Sequence, residues 1–157
     1  MSQATLKSIL DAVKVRVESL SLTDTTKGSP GGVVPVVLRK LPRRGETLDP
    51  PTQITISPPD APDQVQYAFF GGQWWKYTVL ITIICPNDKD LVSNIDIYTQ
   101  WRESIRGLFL TTDNPGTNLG VPAVFDARVR PMVLFNRGML SAGFDFQQLG
   151  VEFTATS

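Results

Sequence analysis

The sequence predicts an α+β fold: a mainly antiparallel sheet with two helices packed on one face, joined by long loops. Three observations carry this reading. From Trp74 to Cys85, the residues Trp75, Tyr77, Val79, Ile81, Ile83 and Cys85 alternate with Lys76, Thr78, Leu80, Thr82 and Ile84, which is the period of a strand. Apolar residues fill both sets late in this run, the mark of a central strand covered on both faces. Two further segments carry apolar residues at three- and four-residue steps, the period of amphipathic helices. Both helical stripes need an apolar surface to cover, and the odd-numbered residues of the long strand supply it.

The elements follow in order. Leu6, Ile9, Leu10, Val13, Val17 and Leu20 form one stripe on a helix of about five turns, with Ser2 placed to cap its start. Thr23 to Gly32 is a polar, glycine-containing connector. Val33 to Arg39 reads as a strand, assigned to a sheet edge because Pro35 lacks a backbone donor. Thr52 to Ser57 places Ile54 and Ile56 between polar neighbours, a short strand. Pro42, Pro50, Pro51, Pro58, Pro59 and Pro62 make the surrounding chain extended and non-helical. Val65 to Phe70, Gly71-Gly72 and the long strand read as a hairpin, since paired glycines accept the positive φ of a tight turn.

Pro86 ends the long strand. Asn87 caps a second helix, and Asp88 and Asp90 put negative charge in its first turn. Its buried stripe is Leu91, Ile95, Tyr98, Ile105 and Phe109, with Trp101 flanking. Gly107 terminates it, with Leu108 folding back as the apolar partner of the cap. Thr111 to Pro122 is a second long loop. In the strand that follows, Phe125, Ala127, Val129, Pro131 and Val133 share one face, and Asp126, Arg128 and Arg130 the other. Asn136 to Met139 turns the chain into the last strand. There Phe144 and Phe146 are even-numbered whereas Leu149, Val151 and Phe153 are odd-numbered. A parity switch of this kind requires an extra residue, which places a bulge around Gln147-Gln148.

A length of 157 residues with 41% hydrophobic content fits one domain, 1–157, with a real core. There is no internal repeat and no composition break. Lysine plus arginine equal aspartate plus glutamate at 15 each, which argues against a protein built to grip bare nucleic acid or an anionic membrane. With Cys85 the single cysteine, no internal disulfide can form and a reduced compartment is expected. The N-terminus has no apolar signal core, and no apolar run is long enough to span a bilayer.

Candidate chemistry is thin. The absence of histidine removes Ser-His-Asp and Cys-His catalysis and every histidine metal site. Asp88 and Asp90 are the closest acidic pair, but their place at a helix start reads as capping. Asp126 and Asp145 sit on adjacent predicted strands, where they would either face each other as a carboxylate pair or lie in solvent, the second being the preferred reading. Gly28-Ser-Pro-Gly-Gly32 lacks the Gly-Lys-Ser/Thr ending of a phosphate loop and follows a helix rather than a strand, so it reads as a connector. Arg39, Lys40, Arg43 and Arg44 are the dense basic cluster. They read either as a solvated loop or as a contact for DNA or an acidic partner. Of Trp74 and Trp75, one must face inward, and core or subunit interface is favoured over base stacking. No catalytic, cofactor-binding or metal residue is assigned, no cofactor is expected, and the chain is not read as an enzyme.

The order of elements carries a resemblance. An N-terminal amphipathic helix precedes a proline-punctuated meander. A long central strand, Trp74 to Cys85, passes through Pro86-Asn87-Asp88 into a second amphipathic helix containing Tyr98, Trp101 and Ile105. Two closing strands end in Leu149-Gly-Val-Glu-Phe153. This layout, from Thr5 to Thr154, resembles the tail terminator and tail-completion (neck) proteins of long-tailed bacteriophages. The resemblance implies a structural virion protein that forms a ring, commonly a homohexamer, at the head-proximal end of the tail. Such a ring stops growth of the tail tube and joins it to the head and neck. Its implied partners are further copies of itself, the tail tube protein and a neck connector, with genome DNA passing through the lumen without sequence-specific binding and with no membrane. Assembly would take place in the host bacterial cytoplasm. Two alternatives stand beside it: another neck connector or tail tube subunit, and a small nucleic-acid-binding module using the basic loop 39–44. If self-association is the function, the loops Thr23 to Gly32 and Arg43 to Pro62 and the 33–39 edge are expected to touch neighbours.

Overall fold

The structure, a computed structural model, describes residues 5–26, 31–42, 45–59, 64–67, 73–86, 91–110, 119–130 and 144–156, without the side chains of 64–67, 86, 91–93 and 144–146. It is an α+β fold in which two helices cover one face of a mixed, mostly antiparallel sheet. The elements are α1 (Leu6–Glu18), β1 (Val36–Leu38), β2 (Gln53–Ser57), β3 (Gln64–Tyr67), β4 (Gln73–Pro86), α2 (Leu91–Gly107), β5 (Val124–Arg130) and β6 (Phe144–Thr156). Strand order is β1-β2-β4-β6-β5, with β3 pairing β4 beyond the end of β2.

β4 organises the sheet. Its second half pairs with β2, its first half with β3, and β6 lies antiparallel along its whole length, from Trp74 opposite Thr156 to Pro86 opposite Phe144. That register puts Tyr77 beside Phe153, Val79 beside Val151 and Ile81 beside Leu149. Ile56 and Ile54 continue the same face next to Ile81 and Ile83, and Val36 extends it next to Ile54. This apolar face meets Ile9, Val13 and Val17 of α1 and Tyr98, Trp101 and Ile105 of α2 in one contiguous core. β1 and β2 are parallel, and a parallel pair needs a crossover of a dozen or so residues. The proline-rich stretch between them is that crossover, with Pro42 and Leu48 buried along it.

Several expectations change in detail. α1 runs for 13 residues, less than five turns, and its cap is Thr5 rather than Ser2, which lies outside the described residues. The Ser8 N–H donates to Thr5 Oγ1 at 3.2 Å while the Thr5 N–H donates to Ser8 Oγ at 2.9 Å. The pair satisfies two backbone donors at once. Trp101 does not flank the stripe of α2. It is buried within it, edge-on to Tyr98 at 5.5 Å, together with Asn94, whereas Ile95 is only partly covered. Gly107 is the last helical residue but keeps ordinary helical handedness. The chain leaves through tight turns, Leu108 N–H to Ile105 O and Phe109 N–H to Arg106 O, and Leu108 packs on the core.

The bulge lies elsewhere than expected. β6 pairs with β4 without interruption through Gln147 and Gln148, and the register shift falls in β5, between Val124 and Asp126. Phe125 is therefore the extra residue. Val124, not Phe125, takes the core position opposite Ala155. The even numbering of Phe144 and Phe146 calls for no extra residue, because the backbone pairing of β6 with β4 runs unbroken to Phe144 opposite Pro86. The Asn87 cap with Asp88 and Asp90, the Gly71-Gly72 turn, and the Asn136–Met139 turn lie outside the described residues.

Candidate interaction surface

The second face of the sheet has neither helix over it, and its chemistry changes along the strands. At the β2 end, Thr55 pairs with Thr82, and Gln148 Nε2 donates to Thr82 Oγ1 at 3.3 Å. Thr55 and Thr82 are buried although polar. Gln53 Nε2 donates to the Pro50 carbonyl at 3.0 Å, which anchors the crossover to the sheet.

Midway lies an ion cluster. Glu152 on β6 is held by Arg130 on β5, whose Nη2 sits 3.1 Å from both carboxylate oxygens, and by Lys76 on β4, whose Nζ is 3.3 Å from Oε1. Burial, the largest single influence, raises the Glu152 carboxyl. The hydrogen bonds and charges of Arg130 and Lys76 together overcome it and hold the group below the usual carboxylate range. Arg128 pairs with Asp126 at 3.0 Å on the same strand. These side chains come from three adjacent strands, and each is the even-numbered charge in an odd-numbered apolar alternation. That shared parity is a sequence signal for the cluster.

At the far end of this face two aromatic rings stand half exposed. Trp74 begins β4 and Phe125 occupies the bulge of β5. Their centroids lie 5.3 Å apart at 66°, with Trp74 38% and Phe125 40% exposed. Trp75 turns the other way and packs against the core, so one tryptophan faces inward and one outward, as alternation requires.

The opposite corner of the sheet carries a hollow. Val17, Leu22, Val34, Pro35, Val36 and Ile54 line a cleft of about 290 Å³ between the end of α1 and β1. Its lip is shaped by a small hairpin-like closure. Thr23 bridges Val33, the Val34 N–H donates to the Leu22 carbonyl at 2.8 Å and the Asp24 N–H to the Gly32 carbonyl at 2.9 Å. Gly31 and Gly32, at φ +83° and +102°, adopt the left-handed backbone that this closure needs. The connector expected over Thr23 to Gly32 is thus tied down at both ends, with 27–30 outside the described residues. A second, shallower hollow lies between Val15 and Ala12 of α1 and Leu119, rimmed by Asp11 and Arg16.

The sequence-predicted site candidates do not come together. Asp126 is opposite Thr154 and Asp145 opposite Cys85, nine positions apart along β6, or about 30 Å at strand rise. They form no carboxylate pair. Arg39 is engaged by Glu46 and donates Nε to the Lys40 carbonyl at 3.2 Å, so part of the basic cluster is neutralised on the spot; Arg43 and Arg44 lie outside the described residues. Among the described residues no group of three or more potential ligands is arranged to hold a metal, and no helix is long and apolar enough to cross a membrane. Cys85 is buried. No protein-family model matches the chain, and no curated protein matches it.

Proposed function

We propose that this protein is a ring-forming structural subunit of a long-tailed bacteriophage, acting at the head-proximal end of the tail as its terminator and joining the tail tube to the neck. The observation that supports this reading is the element order: helix, proline-rich meander, long central strand, second helix and two closing strands. It is the order on which the resemblance to tail terminator and tail-completion proteins rests. The surface chemistry agrees with a role in assembly. Many of the described charges are spent on one another, and two aromatic side chains, Trp74 and Phe125, stand partly exposed. Partners on this reading are further copies of the chain, most simply six, the tail tube protein and a neck connector. DNA passes through the lumen without being read. The product resides in the virion, after assembly in the host cytoplasm.

Electron microscopy of the purified protein tests the proposal. Single closed rings with a central opening and fixed symmetry are expected. Open-ended tubes would transfer the assignment to a tube subunit. A monomer at every concentration, with affinity for DNA abolished by substitutions in 39–44, would replace it with the binding-module alternative.

A further inference from the structure

We infer that copies of this chain join head to tail, the Trp74–Phe125 pair of one copy entering the cleft beside β1 of the next. The inference rests on the ring reading and supplies the contact that builds the ring.

The cleft suits a side chain better than a free ligand. At about 290 Å³ it falls just below the ~300–1,000 Å³ of typical small-molecule sites. Its lining is mostly aliphatic; of its two polar side chains, Glu18 is already engaged by Lys14, and Ser21 offers a single hydroxyl. That gives an ion or a polar metabolite little to orient it, whereas an aromatic ring needs only apolar walls. The knob is of the matching kind. Trp74 and Phe125 are packed edge-on against each other and remain more than a third exposed. A preformed aromatic pair loses little side-chain freedom on docking, which is why such residues anchor interfaces.

Position selects the second copy as occupant. β5 and β1 are the two ends of the strand order, and Ile54 pairs with Ile83 near the end of β4 while Trp74 stands at its start. Knob and cleft thus lie at diagonally opposite corners of one sheet and cannot meet within a copy. A contact between two different patches leaves one of each unsatisfied on every chain of copies until the chain closes on itself. Area points the same way. Two aromatic side chains of about 150–250 Å² each, of which Trp74 is 38% and Phe125 40% exposed, remove at most roughly 200 Å² on docking, far below the ~800 Å² per partner of a stable interface. An isolated pair of copies is therefore weak. Closure, which gives each copy both contacts, drives assembly.

Site-directed crosslinking tests the contact. Thr156 neighbours Trp74 in the register and is exposed, and Val33 stands 64% exposed at the lip of the cleft. The double variant Thr156→Cys/Val33→Cys, oxidised mildly, is expected to give a covalent ladder that stops at the ring. An equal mixture of the two single variants should stop at dimers, and neither single variant should crosslink alone. The native Cys85 is buried and does not compete. Separately, Trp74→Ala/Phe125→Ala should raise the half-assembly concentration about thirtyfold with little change in melting temperature. Crosslinking of Thr156→Cys with itself would overturn the inference in favour of an aromatic-to-aromatic contact. Rings that form normally with no covalent ladder would overturn this contact while leaving the ring reading intact, whereas a wild-type chain that never assembles would overturn both.

Discussion

Phe153→Ala is the substitution whose cost the structure defines best. Phe153 is fully buried and heads the largest such side chains. It lies beside Tyr77 on one neighbouring strand and Ala127 on the other, and Phe109 packs edge-on above it at 5.9 Å and 78°. The ring thus joins the middle of the sheet to the exit of α2, and rigid strands on both sides limit collapse into the space it would leave. Truncating a phenylalanine in such a place costs about 3–5 kcal/mol, against a total stability of about 5–15 kcal/mol for a single domain. At about 2–4 °C per kcal/mol for a chain of this size, the melting temperature should fall by roughly 6–20 °C. Urea unfolding followed by circular dichroism would measure it, the midpoint falling while the slope stays constant. A double-mutant cycle with Phe109→Ala should return a coupling of about 0.5–1.5 kcal/mol for the ring pair. A Phe153→Ala loss under 1 kcal/mol, or no coupling with Phe109, would refute the placement of α2 against the centre of the sheet.

Three further outcomes are expected. Ile81→Asp buries an unpaired carboxylate between Ile56 and Leu149, at several kcal/mol, and should abolish the cooperative transition; a wild-type melting curve would remove Ile81 from the core. Because the Glu152 carboxyl is held below its ordinary value of 4.5, the stability it contributes is fully present above that pH and drains away as pH falls through its lower, folded-state value. Glu152→Gln should therefore flatten the acid side of the stability–pH curve, and an unchanged acid limb would show that the ion cluster contributes nothing. Thr5→Ala removes the side-chain half of the α1 capping box and should cost about 1 kcal/mol, read as a small shift in urea midpoint; a neutral result would mean that packing of Ile9, Val13 and Val17 alone sets the helix start.

The parts of the fold legible in the sequence are those where one physical requirement acts alone. The alternation from Trp75 to Cys85 survives because β4 is paired on both sides, so a one-residue slip would expose every odd-numbered side chain at once. The edge position of β1 follows from Pro35. The misreadings fall where two requirements compete. Phe125 fits the apolar face by parity, but Val124 claims that position and leaves the larger ring outside. Ser2 and Thr5 are both competent caps, and the three-residue spacing to Ser8 decides between them. The aromatic pair was legible only as the statement that one of two tryptophans faces out. Its partner, Phe125, comes from a strand some 50 residues later, and no local pattern reports such a distance. The ion cluster leaves only the weak signal of shared even parity in the sequence: Lys76, Arg130 and Glu152 are otherwise ordinary strand charges until the register brings them together.

The full-length pairing of β4 with β6 also governs how the chain reaches its fold. The two strands are separated by about 60 to 80 residues along the chain, and closing so long a loop must be endured before its contacts reward it, which slows folding. At a synthesis rate of roughly 5–20 residues per second, β4 waits for several seconds before β6 exists. During that interval an apolar, β-branched strand with one entire side unpaired is open to any other strand nearby. Substitutions that slow the arrival of β6, such as a proline within 149–153, should then lower soluble yield more than their effect on equilibrium stability suggests. For this chain the order of synthesis, as much as the final packing, decides how many molecules reach the native state.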